Sequence, residues 1–126
     1  MLAPPLLQEG LAMWLQGTDW GLPIDTVARP LLRNHSLKLA ALLKRRFFFS
    51  EPHRHSCYVL AGSFTGFRIR RFGWDSYRRF YRLANPWSFR SRFRKLFGLT
   101  LEQAEQRWRN ELLAMEILAK RLSQWR

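Results

Sequence analysis

Cysteine, acidic residues and long apolar runs are all scarce in this chain of 126 residues. The single cysteine, Cys57, excludes an internal disulfide and provides none of the paired spacing of a zinc finger. No apolar run approaches the roughly 18 residues that a membrane-spanning helix needs, because the run 39–43 is followed at once by three basic residues. The N-terminus also lacks the basic segment of a secretory signal. If Met1 is the true start, the sequence therefore predicts a cytoplasmic protein with no transmembrane segment.

The scarcity of acidic residues leaves a large positive charge. Nine Asp and Glu residues face 22 Lys and Arg residues, so the formal net charge is +13 and the pI is near 11.5. Such an excess attracts phosphate backbones and anionic lipids. Ten of the basic residues lie between residues 64 and 97, interleaved with aromatics and with one acid, Asp75. This pattern is compatible with single-stranded nucleic acid or a membrane surface as partner, and also with ordinary solvated faces of amphipathic helices.

Helical periodicity dominates the chain, and 47% of its residues are hydrophobic. We therefore expect an all-α fold in which residues 1–126 form a single helical domain. Strand-like alternation is nearly absent. Helices are predicted over residues 5–16, 24–33, 37–46, 56–72, 74–84, a piece spanning 89–97, and a final helix that begins at 100; residues 47–52 are predicted to form an irregular connection.

The spacing of apolar residues predicts which side of each helix faces the core, with the arginines on other sides in solvent. A capping box is predicted at the start of the last helix, from Thr100 and Gln103. The predicted core positions are Tyr58, Ala61, Thr65, Ile69 and Phe72 in the central helix; Trp74, Tyr77 and Tyr81 in the next; Phe89, Phe93, Leu96 and Phe97 in the third; and Leu101, Ala104, Trp108, Leu112, Met115, Ala119 and Leu122 in the last.

Three segments of the chain together resemble one enzyme family. Residues 6–15, LLQEGLAMWL, follow the pattern L-x-E-G-x-A-x-(aromatic). Residues 60–75 resemble A-G-S-F followed by L-I-x-x-(aromatic)-G, and residues 97–108 resemble F-G-x-(S/T)-L-x-x-(L/A)-E-x-x-W. In this order the three patterns are similar to those of gluzincin zinc metallopeptidases, in particular the peptidase-MA-like group. The chain departs from the family in two ways. Leu6 stands where the family frequently has Trp, and the family's segments that precede this position are missing.

The resemblance implies that the chain is the helical C-terminal part of such a metallopeptidase fold. Glu9 would then be the third zinc ligand, and Tyr58 would stabilise the oxyanion that forms during peptide hydrolysis. The other two ligands and the general base belong to an H-E-x-x-H motif, which this sequence lacks. We therefore expect zinc, and a peptide or protein substrate, only in an intact parent that supplies that motif. The chain alone is predicted to be inactive.

The residues leave other interpretations open. In this chain alone we interpret Glu9 as an ordinary acid in the first turn of a helix, because one carboxylate cannot hold a catalytic zinc. The alternative for Tyr58 is a core tyrosine with its hydroxyl at the rim. His53 and His55 lie near Cys57, but we interpret them as surface imidazoles rather than a metal site. The chain could also be a stand-alone cationic protein that binds nucleic acid or another anionic partner. In a third hypothesis, a second chain carries H-E-x-x-H, and exposed apolar surface around Leu6, Leu7 and Leu11 would favour it.

Overall fold

The computed structural model describes residues 3–125, and within them helices dominate. This confirms the all-α expectation. The only sheet of the described residues is a two-stranded antiparallel ladder in which Thr18 pairs with Pro23. None of the described helices combines the length and apolarity needed to cross a membrane. In chain order the elements are α1 Pro5–Gln16, β1 Thr18–Asp19, β2 Leu22–Pro23, α2 Ile24–Leu31, α3 Leu39–Leu42, α4 Arg45–Phe48, α5 Arg54–Phe72, α6 Trp74–Leu83, α7 Phe89–Phe97 and α8 Leu101–Ser123.

Helix α5 forms the centre of the fold. Every residue from 59 to 68 is buried, so the helix is covered on all sides rather than along one stripe. It contacts α1, α2, α4, α6, α7 and α8, and this number of neighbours explains why the single predicted stripe was too narrow. At the crossing with α1, a Cβ on Gly10 would lie 2.8 Å from the Ala61 carbonyl oxygen, and one on Gly62 would lie 2.7 Å from the Met13 Cβ. Glycine therefore permits the close approach of these two helices.

Helices α6 and α7 pack through aromatic rings. The ring of Phe80 lies 5.1, 5.5 and 5.3 Å from those of Phe89, Phe93 and Phe97. The predicted apolar face of α7 is confirmed. On α6 the prediction for Trp74 was wrong, because its side chain is 45% exposed and it is Phe80 that is fully buried.

Helix α8 begins as predicted and then leaves the core. Thr100 Oγ1 accepts a hydrogen bond from Gln103 N at 3.1 Å, and Gln103 Oε1 accepts one from Thr100 N at 2.9 Å. The capping box is therefore confirmed. The apolar seam is buried only as far as Leu112, whereas Met115 and Leu122 are 37% and 56% exposed. The second half of the predicted seam thus lies in solvent.

A buried ion pair on α8 holds the segment between α2 and α4 in place. Glu105 Oε2 accepts hydrogen bonds from Arg109 and from the backbone nitrogen of Leu39, and Arg109 donates to the carbonyl oxygen of Leu32. The single helix predicted over residues 37–46 is instead divided into α3 and α4, because Lys44 between them has an extended backbone. Phe48, predicted in an irregular connection, is helical and fully buried.

Candidate functional site

Helix α1 carries Glu9 as its only ionisable residue. Glu9 is partly exposed and has no ion-pair partner among the described residues. The exposed residues of α1, which form its outer side, are all uncharged, although the protein as a whole is strongly basic. They are Gln8, Ala12, Leu15 and Gln16.

The apolar surface that would favour a second chain carrying H-E-x-x-H is mostly absent from the three leucines at which it was sought. Leu6 and Leu7 are fully buried within the chain, and Leu11 is partly buried. These three residues therefore give the second-chain hypothesis little support. The apolar side chain that α1 does expose is Leu15, at 68%.

The fold brings Tyr58 of α5 into the electrostatic reach of Glu9. Burial raises the pKa of the Tyr58 hydroxyl, the Glu9 carboxylate raises it further, and Arg54 opposes both effects. The Tyr58 ring packs edge-on against Phe48 and Phe49, with centroid distances of 5.3 and 6.3 Å. Tyr58 is therefore a protonated hydroxyl at neutral pH that can donate a hydrogen bond, which is the property an oxyanion stabiliser requires.

The histidines and the cysteine have other partners. His55 Nε2 lies 3.0 Å from Asp19 Oδ2, and the His53 ring stacks on Phe47 at 5.6 Å. Cys57 is fully buried, and burial raises the pKa of its thiol to about 11. Within residues 3–125 no three His, Cys, Asp or Glu side chains are grouped closely enough to hold a metal ion.

Helices α6 and α7 present a cationic face, defined by their exposed basic residues. Arg78 pairs with Asp75 at 3.5 Å, and Arg90 pairs with Glu102 of α8. The other five have no ion-pair partner among the described residues: Arg79, Arg82, Arg92, Arg94 and Lys95. The prediction that these arginines point into solvent is confirmed.

One arginine behaves differently from all the others. Arg68 is fully buried, and none of its guanidinium nitrogens has a hydrogen-bond partner among the described residues. The guanidinium carbon lies 4.8 Å from the ring centroid of Phe64 and 5.1 Å from that of Tyr77. The apolar periodicity of α5 predicted all of its arginines outside the core, so Arg68 was not identified from the sequence. Its position among apolar residues in the middle of a central helix was the available signal.

A buried polar contact connects α2, α5 and α8. Ser63 Oγ donates to Asp25 Oδ1 at 2.7 Å and accepts from Trp108 Nε1 at 2.9 Å. Arg70 lies 3.7 Å from Asp25 and 3.1 Å from Glu111. No histidine of the described residues takes part in this arrangement, and the carboxylate beside Ser63 also lies within ion-pair distance of Arg70.

No protein-family model matches this chain, and neither the curated proteins nor the solved structures compared with it gave a match.

Proposed function

We propose that this chain is the helical C-terminal part of a gluzincin-like zinc metallopeptidase domain, and that it hydrolyses peptide bonds only when an H-E-x-x-H segment completes the zinc site. The observation that carries the proposal is the position of Glu9. It is partly exposed, it is unpaired among the described residues, and it lies within electrostatic reach of the Tyr58 hydroxyl. In the completed site Glu9 would bind zinc, and Tyr58 would donate a hydrogen bond to the developing oxyanion. Zinc would supply the activated water.

The uncharged outer side of α1 supports the same proposal. A helix that faces water normally carries charged residues on its outer side. In α1 that side offers Ala12 and Leu15 between two glutamines. A second helix that carried H-E-x-x-H could pack there and would bury no charge of α1 other than that of Glu9, whose carboxylate would bind the zinc.

The first experiment measures the intact mass of the gene product in its source cell. A mass well above 15.1 kDa, with H-E-x-x-H in frame upstream, gives the form in which zinc is tested. In that form Glu9→Gln should weaken the affinity for zinc by at least about tenfold, since even changes outside the ligand set cost ~10–100-fold. The loss is measured by elemental analysis of the zinc that remains after dialysis against a competing chelator. Glu51→Gln, which alters another exposed carboxylate, should leave the zinc content unchanged.

Two results would contradict the proposal. The first is a chelator-sensitive peptidase activity in the isolated 126-residue chain, because that chain lacks the general base and two ligands. The second is an unchanged zinc content in the Glu9→Gln variant of a longer, zinc-containing form. A mass of 15.1 kDa, with no zinc-bearing partner chain recovered alongside it, would favour the second candidate function.

The second candidate is a stand-alone cationic protein that binds nucleic acid or another anionic partner, and the five unpaired cations of α6 and α7 favour it. For a single-stranded oligonucleotide, each neutralised phosphate contributes about −0.7 to the slope of log affinity against log salt concentration. Five contacts therefore predict a slope of about −3.5. The substitutions Arg79→Gln, Arg92→Gln and Arg94→Gln together should reduce its magnitude by about 2. A flat salt response, measured by fluorescence anisotropy, would remove this candidate.

A further inference from the structure

A groove of about 350 Å³ runs between α6 and α7, within their cationic face. This volume is near the lower end of the ~300–1,000 Å³ typical of small-molecule sites. The groove combines two kinds of side chain in equal number. Three are cations and three are apolar: Arg79, Arg92 and Lys95, and Phe80, Leu83 and Leu96.

The cations of the groove are available to a ligand. Helix α7 contains no acidic residue, and the only acid of α6, Asp75, lies beside Arg78. Arg92 is also oriented in advance, because its Nε donates to Ser88 Oγ at 2.9 Å. That bond leaves the two terminal nitrogens of the guanidinium free to bind the oxygens of a phosphate or carboxylate. The groove therefore favours an anionic group.

The apolar part of the groove favours a hydrocarbon chain over a nucleobase. Phe80 is fully buried by the rings of α7, so its face cannot stack on a base. The remaining apolar surface is aliphatic, from Leu83, which is 51% exposed, and Leu96, which is partly buried. Apart from the three cations, no lining side chain carries a donor or acceptor that could read a base edge.

We propose that this groove binds one anionic amphiphile, whose phosphate or carboxylate head contacts Arg79, Arg92 and Lys95 and whose hydrocarbon chain lies along Leu83 and Leu96. The proposal is independent of the zinc site. It gives the cationic-binding candidate a specific ligand class in place of nucleic acid.

The test uses three probes that separate the head from the chain, with binding followed by titration calorimetry. Dodecyl phosphate, kept below its critical micelle concentration, carries both parts. Dodecyltrimethylammonium carries the same chain with the opposite charge, and inorganic phosphate carries the head alone. We expect saturable one-to-one binding of dodecyl phosphate and much weaker binding of the other two. Shortening the chain should weaken binding by up to about fourfold for each methylene that is removed from the groove.

Matched variants locate the site. Arg92→Gln with Lys95→Gln should weaken dodecyl phosphate binding by about tenfold or more, because charge-assisted hydrogen bonds are lost. Lys120→Gln with Arg121→Gln removes the same charge from the exposed end of α8 and should have little effect. Leu83→Asn should weaken binding, whereas Leu113→Asn, at a leucine of similar exposure on α8, should not. Circular dichroism verifies that each variant keeps its helix content.

Several results would overturn the proposal. Equal binding of the cationic amphiphile would show that only the chain matters, and equal binding of inorganic phosphate would show that only the head matters. An equal loss in both charge-removal variants would indicate unspecific attraction by the net charge. Salt-dependent binding of an oligonucleotide without any binding of dodecyl phosphate would also overturn it, while leaving the general cationic-binding candidate in place.

Discussion

The substitution Arg68→Met is predicted to stabilise the protein. Burial lowers the pKa of the Arg68 guanidinium from its usual range to about 10. That drop corresponds to about 3 kcal/mol of unfavourable free energy for keeping the charge in the folded protein at neutral pH. Contacts of the guanidinium with the rings of Phe64 and Tyr77 offset part of this unfavourable free energy, since a desolvated cation–π arrangement contributes ~2 kcal/mol. Methionine fills most of the volume of the arginine's aliphatic chain, and it removes both the cost of the buried charge and the cation–π attraction.

We therefore expect Arg68→Met to raise the free energy of unfolding by about 1–2 kcal/mol. The measurement is urea unfolding followed by circular dichroism, in which the midpoint should rise at an unchanged m-value. Arg71→Met, at an exposed site on the same helix, is the control and should stay within about 0.5 kcal/mol of the wild type. Arg68→Ala should be less stable than Arg68→Met, because it also leaves a cavity.

The pH dependence tests the cause as well as the size of the effect. A folded-state pKa below the unfolded one means that the penalty is complete below about pH 10 and is relieved only as the pH rises from there towards the pKa of the unfolded chain. The stability difference between Arg68→Met and the wild type should therefore be constant from pH 6 to 9. A difference that changed across this range, or an Arg68→Met variant less stable than the wild type by more than 1 kcal/mol, would refute the argument that an unpaired buried charge weakens the core.

Three further predictions concern the packing, a helix end and the thiol. Gly10→Ala should destabilise the protein by about 1–2 kcal/mol in urea unfolding, because overpacking at the α1–α5 crossing exceeds the gain in helix propensity; a stabilised variant would contradict the close approach. Thr100→Ala should cost about 1 kcal/mol through loss of the capping box, and an unchanged midpoint would contradict it. The Cys57 thiol, with its pKa near 11, should react with Ellman's reagent at pH 8 far more slowly than in the urea-unfolded chain. Its contribution to stability should fall as the pH rises from about 9 towards 11, and equal reaction rates in the two states would refute this account.

The parts of the fold that were predicted from sequence depend on local interactions. The bounds of α1 follow from Pro5 in its first turn and Gly17 after its end, and the capping box of α8 needs only four consecutive residues. The apolar face of α7 follows from a four-residue spacing of phenylalanines. None of these features requires knowledge of what packs against the helix.

The parts that were missed depend on the number and position of neighbours. The complete burial of residues 59–68 of α5 arises because α1, α2, α4, α6, α7 and α8 all pack against this helix. The periodicity of its own sequence does not reveal these neighbours. The same cause buries Arg68, which composition alone places in water. In the candidate site the sequence supplied Glu9 and Tyr58 separately, through a family resemblance. Their proximity depends on the packing of α1 against α5.

The two candidate surfaces differ in the force that each can offer a partner, and salt separates them. The outer side of α1 carries no charge, so the contact with an H-E-x-x-H helix would rest on apolar burial and should change little between low and physiological salt. The face of α6 and α7 holds five unpaired cations, so its contacts should weaken steeply over the same range. The substitution Leu15→Asn should impair only association at the outer side of α1. The double substitution Arg92→Gln with Lys95→Gln should impair only association at the face of α6 and α7. Because the side chains of Leu15, Arg92 and Lys95 are exposed, their substitution should leave the core intact. A partner found for this protein can then be assigned to one surface by its salt dependence and by which variant releases it.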